Sequence, residues 1–257
     1  MAVPVDTTVS TPGASVAVLR TELKLFGREP FAYFWLIAFP SLLLAILGSI
    51  PSFREAQDAL DGRRVIDVYV PVAVMLSVIV AGTQTMPGVL TGYRERGILR
   101  RLFTTPAHPG SLLGAQIVLH GAAILVSVIL AITVGAVAFD VNLPKQPAGY
   151  ALALLLTTLV GLGLGAAISA LSRTVKIAQT VGTITFFPMM FTAGVYAPVQ
   201  GMSEPLRNIV EWTPFGAASQ ALDRTAGGDW PNWSHLGVTG LWAAVLIGVA
   251  IRRFRWE

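Results

Sequence analysis

Side chains with acid–base or metal-binding chemistry are few and scattered in this sequence of 257 residues. It has no cysteine, which excludes disulfides, thiolate catalysis and cysteine-ligated metals. The three histidines, His108, His120 and His235, lack the spacing of a metal site. His120 falls inside an apolar run, where a hydrogen-bonded packing role is more common than proton transfer. We therefore expect no catalytic residue, no metal and no cofactor bound by this chain.

Motifs that would couple the chain to an energy source are also missing from the sequence. It has no Gly-x-x-x-x-Gly-Lys-Ser/Thr phosphate loop, so ATP binding by that route is not expected. Its apolar runs contain no Asp, Glu, Lys or Arg, whereas proton-coupled transporters place ionisable groups there. A sodium site built from backbone carbonyls would escape this test. An ion-coupled secondary transporter is disfavoured, but it stays an alternative.

Polar, aromatic and thioether side chains within the apolar runs provide another kind of chemistry. Ser77 and Gln84 are seven residues apart, which predicts one helix face. Thr183, Phe187 and Met190 follow steps of four and three along a second helix. Such a surface suits an uncharged or singly charged amphiphilic molecule. The alternative is helix packing, which small and hydroxyl residues favour in lipid.

Six uncharged apolar runs must position these side chains. Hydrophobic residues make up 54% of the chain and charged residues 12%, about half the charged share of soluble domains. Crossing a hydrocarbon core takes about 20 apolar residues. The sequence therefore predicts an all-α polytopic membrane protein whose six transmembrane helices lie at residues 31–50, 68–90, 112–139, 148–171, 177–195 and 236–251.

The basic residues predict how the chain is oriented. The net charge of +4 does not indicate nucleic-acid binding, because Lys and Arg lie beside apolar runs and not on one polar face. Most of them fall on the amino-terminal side of the bilayer. We therefore expect a multi-pass protein of the plasma membrane with both termini cytoplasmic. Residues 1–15, with their Pro, Thr and Ser, predict a disordered cytoplasmic tail.

Residues 16–29 predict an amphipathic helix on the inner membrane surface. Its apolar face consists of Val16, Leu19, Leu23 and Phe26. The adjoining basic row consists of Arg20, Lys24 and Arg28. A lipid anchor and a contact with a cytoplasmic partner are both open for this helix.

Residues 93–106 mix four arginines with apolar residues at helical spacing, up to Pro106. A loop that merely joined two spans would not need Ile98, Leu99, Leu102 and Phe103. A short helix that docks into a groove on another protein would need them. The alternative is an arginine cluster that reaches lipid phosphates.

Residues 202–225 are too apolar for an exposed loop and are broken at Pro214. Ser203 and Thr213 have the character of helix N-caps. Each predicted helix rises only about 15 Å, half of the hydrocarbon core. We expect an outer re-entrant helical hairpin before the last span, and the alternative is a helix pair lying flat on the outer surface.

Two parts of the chain resemble a known family. Residues 93–106 read Tyr-Arg-Glu-Arg-Gly-Ile-Leu-Arg-Arg-Leu-Phe-Thr-Thr-Pro. This segment resembles the loop after the second span of type 2 ABC exporter permeases, especially the drug-resistance branch that includes daunorubicin exporters. A second region is similar to that family's fifth span and outer helices, through Pro188, Gly194, Pro198, Met202, Pro205, Leu206, Pro214 and Phe215. The resemblance covers essentially the whole chain.

The resemblance implies a permease domain at residues 30–257, a connecting helix at 16–29 and a coupling helix at about 93–103. The coupling helix would dock on a cytoplasmic ATP-binding subunit, which would carry ATP and Mg²⁺. The implied coupling residues are Tyr93, Arg94, Glu95, Arg96, Leu99, Arg100, Arg101 and Leu102. Those of the connecting helix are Arg20, Lys24 and Phe26.

The same resemblance implies pairing with a second permease, either an identical copy or a paralogue. Substrate would pass along spans 2 and 5, which makes path candidates of Ser77, Gln84, Thr183, Phe187 and Met190. We therefore expect the permease of an ATP-driven exporter for a hydrophobic or amphiphilic small molecule, such as a drug, an antibiotic or a lipid-like compound. Alternatives are an ion-coupled secondary transporter and a non-transporting membrane scaffold.

Overall fold

A computed structural model describes residues 12–60, 62–99 and 109–253, and this part of the chain is nearly all helical. The helices are α1 (Pro12–Phe26), α2 (residues 30–48), α3 (Val65–Glu95), α4 (Pro109–Phe139), α5 (Pro147–Leu171), α6 (Val175–Thr192), α7 (Glu204–Val210), α8 (Pro214–Gly227) and α9 (Trp233–Arg253). Short 3₁₀ turns occur at Pro51–Arg54, Asp58–Leu60 and Val199–Gly201.

One small ribbon departs from the all-α prediction. Strand β1 (Ala56–Gln57) pairs antiparallel with β2 (Arg63–Arg64), and Ala56 lies opposite Arg64. The ribbon lies in the connection between α2 and α3.

Four helices in the described residues are long and apolar enough to cross a membrane: α3, α4 from Gly110, α5 and α9. The apolar part of α2, Phe34–Gly48, is shorter. Helix α6 has 18 residues, but Lys176 and Gln179 interrupt its apolar character. The membrane-spanning, helical class predicted from the sequence is confirmed.

Helix α3 lies at the centre of the bundle. Its most apolar window is 89% buried, against 22% for α9. It contacts α2, α4, α5, α6 and α8, as expected for a helix that is apolar on every side. Helices α4 and α5 pack against α3, and α9 packs against α5 and α8. Apolar faces of α4 and α9 stay exposed, as those of helices in contact with lipid do.

Both α2 and α3 contain a π-helical turn just before a proline. In α3 the turn is Ala81–Thr85, and the Met86 amide donates to the Ala81 carbonyl five residues back. Pro87 follows at once; it has no amide proton to donate, and its ring would clash with the carbonyl of Thr83. The wider turn relieves that clash. The turn Phe34–Ala38 precedes Pro40 in the same way.

Glycines allow α3 to approach α5 and α6 closely at this turn. A β-carbon at Gly182 would overlap the Thr83 carbonyl oxygen, and one at Gly82 would overlap the Gly161 carbonyl oxygen. Gly165 lies against Gly82 and the Met86 sulfur. Close packing through Gly161 and Gly165 is also expected from the sequence, and this is confirmed.

The bundle has two ends with different polar contacts. The Arg94 end brings together the ends of α1, α3, α5 and α9 and the starts of α4 and α6, at residues 22, 93–99, 116, 169–175 and 252–253. The Asp223 end contains residues 48–60, 62–64, 139–146 and 220–229.

Helix α1 corrects the predicted boundaries of the tail and the amphipathic helix. It begins at Pro12 and ends at Phe26, so residues 12–15 are helical and residues 27–29 lie outside the helix. Val16 and Leu23 of the predicted apolar face are exposed, and Glu22 is buried against the bundle. The face that contacts protein is therefore not the most apolar one.

Helices α7 and α8 occupy the segment predicted to form a hairpin. The Thr213 hydroxyl accepts a hydrogen bond from the Gly216 amide at 3.1 Å, as an N-cap does, and Ser203 precedes α7 without such a bond. Helix α8 is largely buried against α3, α5 and α9, and Phe215 is fully buried. Helix α7 is more exposed, since Ile209 is 67% exposed.

We expect Gly182→Ala to destabilise the protein, because its methyl group must displace the backbone of α3 at Thr83. Such overpacking costs about 1–3 kcal/mol, or roughly 2–10 °C in melting temperature for a chain of this size. Thermal unfolding of the purified protein in detergent measures the change. Gly121→Ala in α4 is the matched control, since nothing lies within 4 Å of a β-carbon there. Equal melting temperatures for the two variants would contradict the contact.

Candidate functional site

The segment predicted to couple to a partner begins where α3 ends. Helix α3 stops at Glu95, Arg96 caps it, and Gly97 adopts φ +65°, a left-handed conformation that turns the chain away from the helix axis. Residues 98–99 return to helical geometry. The remaining predicted coupling residues, Arg100, Arg101 and Leu102, lie outside the described residues.

Arg94 fastens this segment to the end of α5. Its guanidinium donates to the carbonyl oxygens of Ser169, at 3.3 Å, and Ser172. One turn earlier, the buried Thr91 hydroxyl donates to the Ser169 hydroxyl at 3.1 Å. The Arg94 bonds thus bring a side-chain donor to carbonyls at the end of α5, where the helix supplies few regular backbone donors.

Glu95 joins the same segment to the start of α6. Its carboxylate accepts a hydrogen bond from the Val175 amide at 2.9 Å, and the Thr174 hydroxyl accepts from the Ile177 amide. A carboxylate at a helix N-terminus binds its unpaired amides and stabilises the helix dipole. The predicted residues Arg94 and Glu95 are therefore internal contacts that link α3 to α5 and α6.

The other predicted coupling residues differ in exposure. Arg96 is exposed and available to a partner. Leu99 is only 3% exposed, so its side chain packs within the chain and does not form the open docking surface expected from the sequence.

Tyr93 leads to a contact that sequence reasoning missed. Its hydroxyl donates to the Glu22 carboxylate at 2.6 Å, and the Gln116 amide donates to the same oxygen at 2.5 Å. Glu22 is 5% exposed, so both bonds lie in the interior. One carboxylate thereby joins α1, α3 and α4. In the sequence, Glu22 lies three residues after Leu19 and four before Phe26, and this helical spacing places it on the same face as those two apolar residues.

Around this contact the predicted residues of α1 separate into two groups. Phe26 stacks on Tyr33 with ring centroids 3.5 Å apart and meets the edge of His120 at 5.8 Å. His120 is buried and its Nδ1 lies 3.0 Å from the Gln116 carbonyl oxygen, in agreement with the packing role expected for it. Arg20 and Lys24 are exposed.

The structure does not place the two polar residues of α3 on one face. Ser77 is fully buried and its hydroxyl donates to the Val74 carbonyl at 2.7 Å, whereas Gln84 is exposed. Gln84 lies within the π turn Ala81–Thr85, where residues are rotated relative to a regular helix. Ser77 therefore packs inside the chain in this structure, and a role for it in a substrate path stays a prediction.

The three candidates on α6 lie partly or wholly at the surface. Thr183 and Phe187 are exposed, the ring of Phe187 by 56%, and Met190 is half-buried near the Tyr196 hydroxyl. Because Gly182 touches α3 at Thr83, the neighbouring Thr183 and Gln84 are close in the fold. The structure thus brings together one polar residue of α3 and the exposed face of α6.

Ion pairs fix the Asp223 end. Arg63 binds Asp223 at 2.9 Å, and Gln200 donates to the same carboxylate at 2.8 Å. Arg64 pairs with Asp67 at 2.6 Å, and the hydrogen bond from this pair raises the pKa of Arg64. These contacts tie the loop after α2 to α3 and α8. Among the described residues, no three His, Asp or Glu side chains are close enough to hold a metal ion.

Long apolar helices, a buried central helix and a polar segment at one end define a helical membrane protein. A model of the ABC-2 type transporter family matches residues 14–223. The chain therefore belongs to the ABC-2 type transporter family, and it is a permease subunit of an ABC-type transporter. Members typically work in the membrane with an ATP-binding subunit and serve as transport components. No curated protein matches the chain.

We expect Glu22→Leu to release α1 from the bundle, because it leaves the Tyr93 hydroxyl and the Gln116 amide without their buried acceptor. Each unsatisfied group costs about 1–3 kcal/mol. Hydrogen exchange followed by mass spectrometry should show amides of Pro12–Phe26 exchanging about tenfold faster. Glu29→Leu, at an exposed glutamate nearby, is the control. Unchanged exchange in α1 of the Glu22 variant would refute the role of this contact.

Proposed function

We propose that the chain is the membrane subunit of an ATP-driven exporter, and that residues 93–103 dock on a cytoplasmic ATP-binding subunit. ATP and Mg²⁺ would bind to that subunit. The proposal rests on the hydrogen bonds that join this segment to other helices of its own chain. Through Arg94, Glu95 and Tyr93 it is bonded to α5, α6 and α1, while Arg96 stays exposed. A push on this segment would reach three helices at once.

The proposed topology has six spans with both termini in the cytoplasm of a cell-membrane protein. Residues 30–48 and 175–192 would rise about 27–28 Å, close to the hydrocarbon thickness of roughly 30 Å. With these two crossings, successive spans alternate between the Arg94 end and the Asp223 end. The Arg94 end would face the cytoplasm.

In this topology α7 and α8 form a re-entrant hairpin from the outer side. The burial of α8 against three helices supports this arrangement, since a helix within the membrane needs protein around its ends. Trp230 and Trp233, just before and at the start of α9, are exposed near the Asp223 end, as aromatic residues at a membrane interface are. The Trp212 carbonyl accepts from the Trp242 indole, nine residues into α9, which supports a hairpin that enters the membrane.

The transport cycle would use the packing around α3. Closure of the ATP-binding subunits would move the coupling segment, and Arg94 and Glu95 would carry that displacement to the α5–α6 connection. Because Gly82 and Gly182 hold α3 against both helices, these elements would shift together between two packed states.

The exposed face of α6 is the proposed contact with a second permease and the wall of the substrate path. It carries Gln179, Thr180 and Thr183 beside Phe187 and Ile184. Amide and hydroxyl groups are unfavourable in lipid, so a second copy or a paralogue would cover them. A path of threonine, glutamine and aromatic side chains suits a hydrophobic or amphiphilic small molecule, as in the drug-resistance branch.

We expect Arg96→Glu to weaken binding of the ATP-binding subunit, because it reverses the charge of an exposed side chain in the docking segment. Charge reversal in an interface costs about 1.4 kcal/mol or more, which is roughly tenfold in affinity. The measurement is the amount of ATP-binding subunit that co-purifies, with ATP-dependent daunorubicin uptake by inside-out vesicles.

Lys145→Glu makes the same charge change at an exposed lysine of the opposite end and is the control. If the Arg96 variant co-purified with as much ATP-binding subunit as the wild-type protein does, the docking proposal would be contradicted. Uptake that persists without any ATP-binding subunit but collapses with the ion gradient would favour a secondary transporter. Partner binding without flux of any tested compound would favour a scaffold.

We expect Phe187→Ala to raise the KM for daunorubicin by about tenfold, because it removes an exposed ring from the proposed path. Co-purification of the ATP-binding subunit should not change, since Phe187 is far from the Arg94 end in sequence and fold. The measurement is uptake by inside-out vesicles as a function of drug concentration. Phe31→Ala removes another exposed ring, on α2, and controls for loss of a membrane-facing aromatic residue. An equal effect of both variants would argue against the path.

A further inference from the structure

An apolar groove runs between α4, α5 and α9. Its volume is about 330 Å³, and every lining residue is aliphatic or glycine. Ile117 of α4 and Ile251 of α9 border it and are 40% and 74% exposed, so the groove opens to the lipid-facing surface. Along α5 it extends from Leu159 to Ala166, which is about 10 Å of helix.

A polar cavity of about 690 Å³ continues the groove at the Arg94 end. Ala170, one turn beyond Ala166, lines this cavity, and Arg252 and Arg253 directly follow Ile251 of the groove. Arg173 also lines the cavity. A molecule with an apolar chain in the groove would therefore present its head to arginines.

The charges of this cavity favour an anion. Among the ion pairs of the described residues, none involves Arg173, Arg252 or Arg253. The Arg94 guanidinium is directed to backbone carbonyls, and the Glu95 carboxylate accepts from the Val175 amide. Three cationic side chains thus share the cavity with a single carboxylate that already has a donor.

We propose that this groove and cavity form a binding site for an anionic phospholipid, with one acyl chain between α4, α5 and α9 and the phosphate among Arg173, Arg252 and Arg253. One guanidinium group can donate two parallel hydrogen bonds to two oxygens of a phosphate. Basic pockets beside membrane helices bind anionic headgroups. The groove covers about two thirds of the roughly 15 Å depth of one leaflet. The proposed lipid site depends neither on transport nor on the ATP-binding subunit.

Because the site joins three helices beside the Arg94 contacts, a bound lipid would fill a gap that protein side chains leave open. The occupant is a phospholipid and not a second copy of the chain, because the groove ends among three arginines that form no ion pair within the described residues, and these complement an anionic headgroup. Lipid binding at such a site should depend both on the charge of the headgroup and on the shape of the groove, whereas general attraction to a charged surface depends on charge alone.

Native mass spectrometry of the delipidated full chain tests the proposal, with palmitoyl-oleoyl phosphatidylglycerol and the zwitterionic phosphatidylcholine of the same chains as probes. We expect wild-type protein to retain one phosphatidylglycerol per chain in preference to phosphatidylcholine. Arg252→Gln with Arg253→Gln should lower phosphatidylglycerol affinity about 30-fold, since each of the two cations near an anionic headgroup contributes about 1 kcal/mol. Ile117→Trp, which fills the groove from an exposed position, should lower retention of both lipids.

Lys145→Gln with Arg224→Gln is the matched control, because it removes two exposed cations at the opposite end of the bundle and should leave the preference unchanged. Melting temperature confirms that each variant is folded. Equal retention of the two lipids by wild type would overturn the proposal. An equal loss of phosphatidylglycerol in both double variants would also overturn it, because it would mean general attraction to the charged surface. Full retention of both lipids by Ile117→Trp would overturn it as well, because it would mean that no acyl chain occupies the groove.

Discussion

The close contact of α3 with α5 and α6 is the constraint on which the rest of the structure depends. Gly82, Gly161 and Gly182 bring three backbones together, and the π turn before Pro87 provides the local geometry for that approach. Lipid offers little hydrophobic drive for helix association, so packing of this kind must hold the bundle together. Both the coupling segment and the proposed path are positioned by these same helices.

At the Arg94 end, hydrogen bonds hold together the helices that the glycine contacts bring close. Arg94 and Glu95 connect the end of α3 to both sides of the α5–α6 turn, and Glu22 adds α1 and α4 through one oxygen atom. Inside a protein each bond of such a network depends on its neighbours, because an unpaired polar group is costly there. Under the proposed docking, these helices would therefore move together, and the exposed face of α6 is the face proposed for a second subunit.

The sequence was sufficient for features that one helix determines by itself. Apolar length predicted a membrane-spanning helical protein, and glycines one turn apart predicted the close packing at Gly161 and Gly165, although not that at Gly82 and Gly182. Features that depend on two distant segments could not be read in this way. The partners of Glu22 lie in other helices, so its burial could not be predicted from its own segment. Gln84 lies within a π turn, which a regular period of 3.6 does not describe. The exposure of Arg96 and the burial of Leu99 likewise depend on the turn at Gly97.

Site-specific cross-linking is the most direct test of the docking account. The chain has no cysteine, so Arg96→Cys provides a single attachment point for a photoreactive thiol probe in native membranes. The account predicts that mass spectrometry of the cross-linked product identifies an ATP-binding subunit. A probe at Lys145→Cys, at the opposite end, should not give that product. An identical pattern from both positions, or a product from Arg96→Cys without any nucleotide-binding protein, would contradict it.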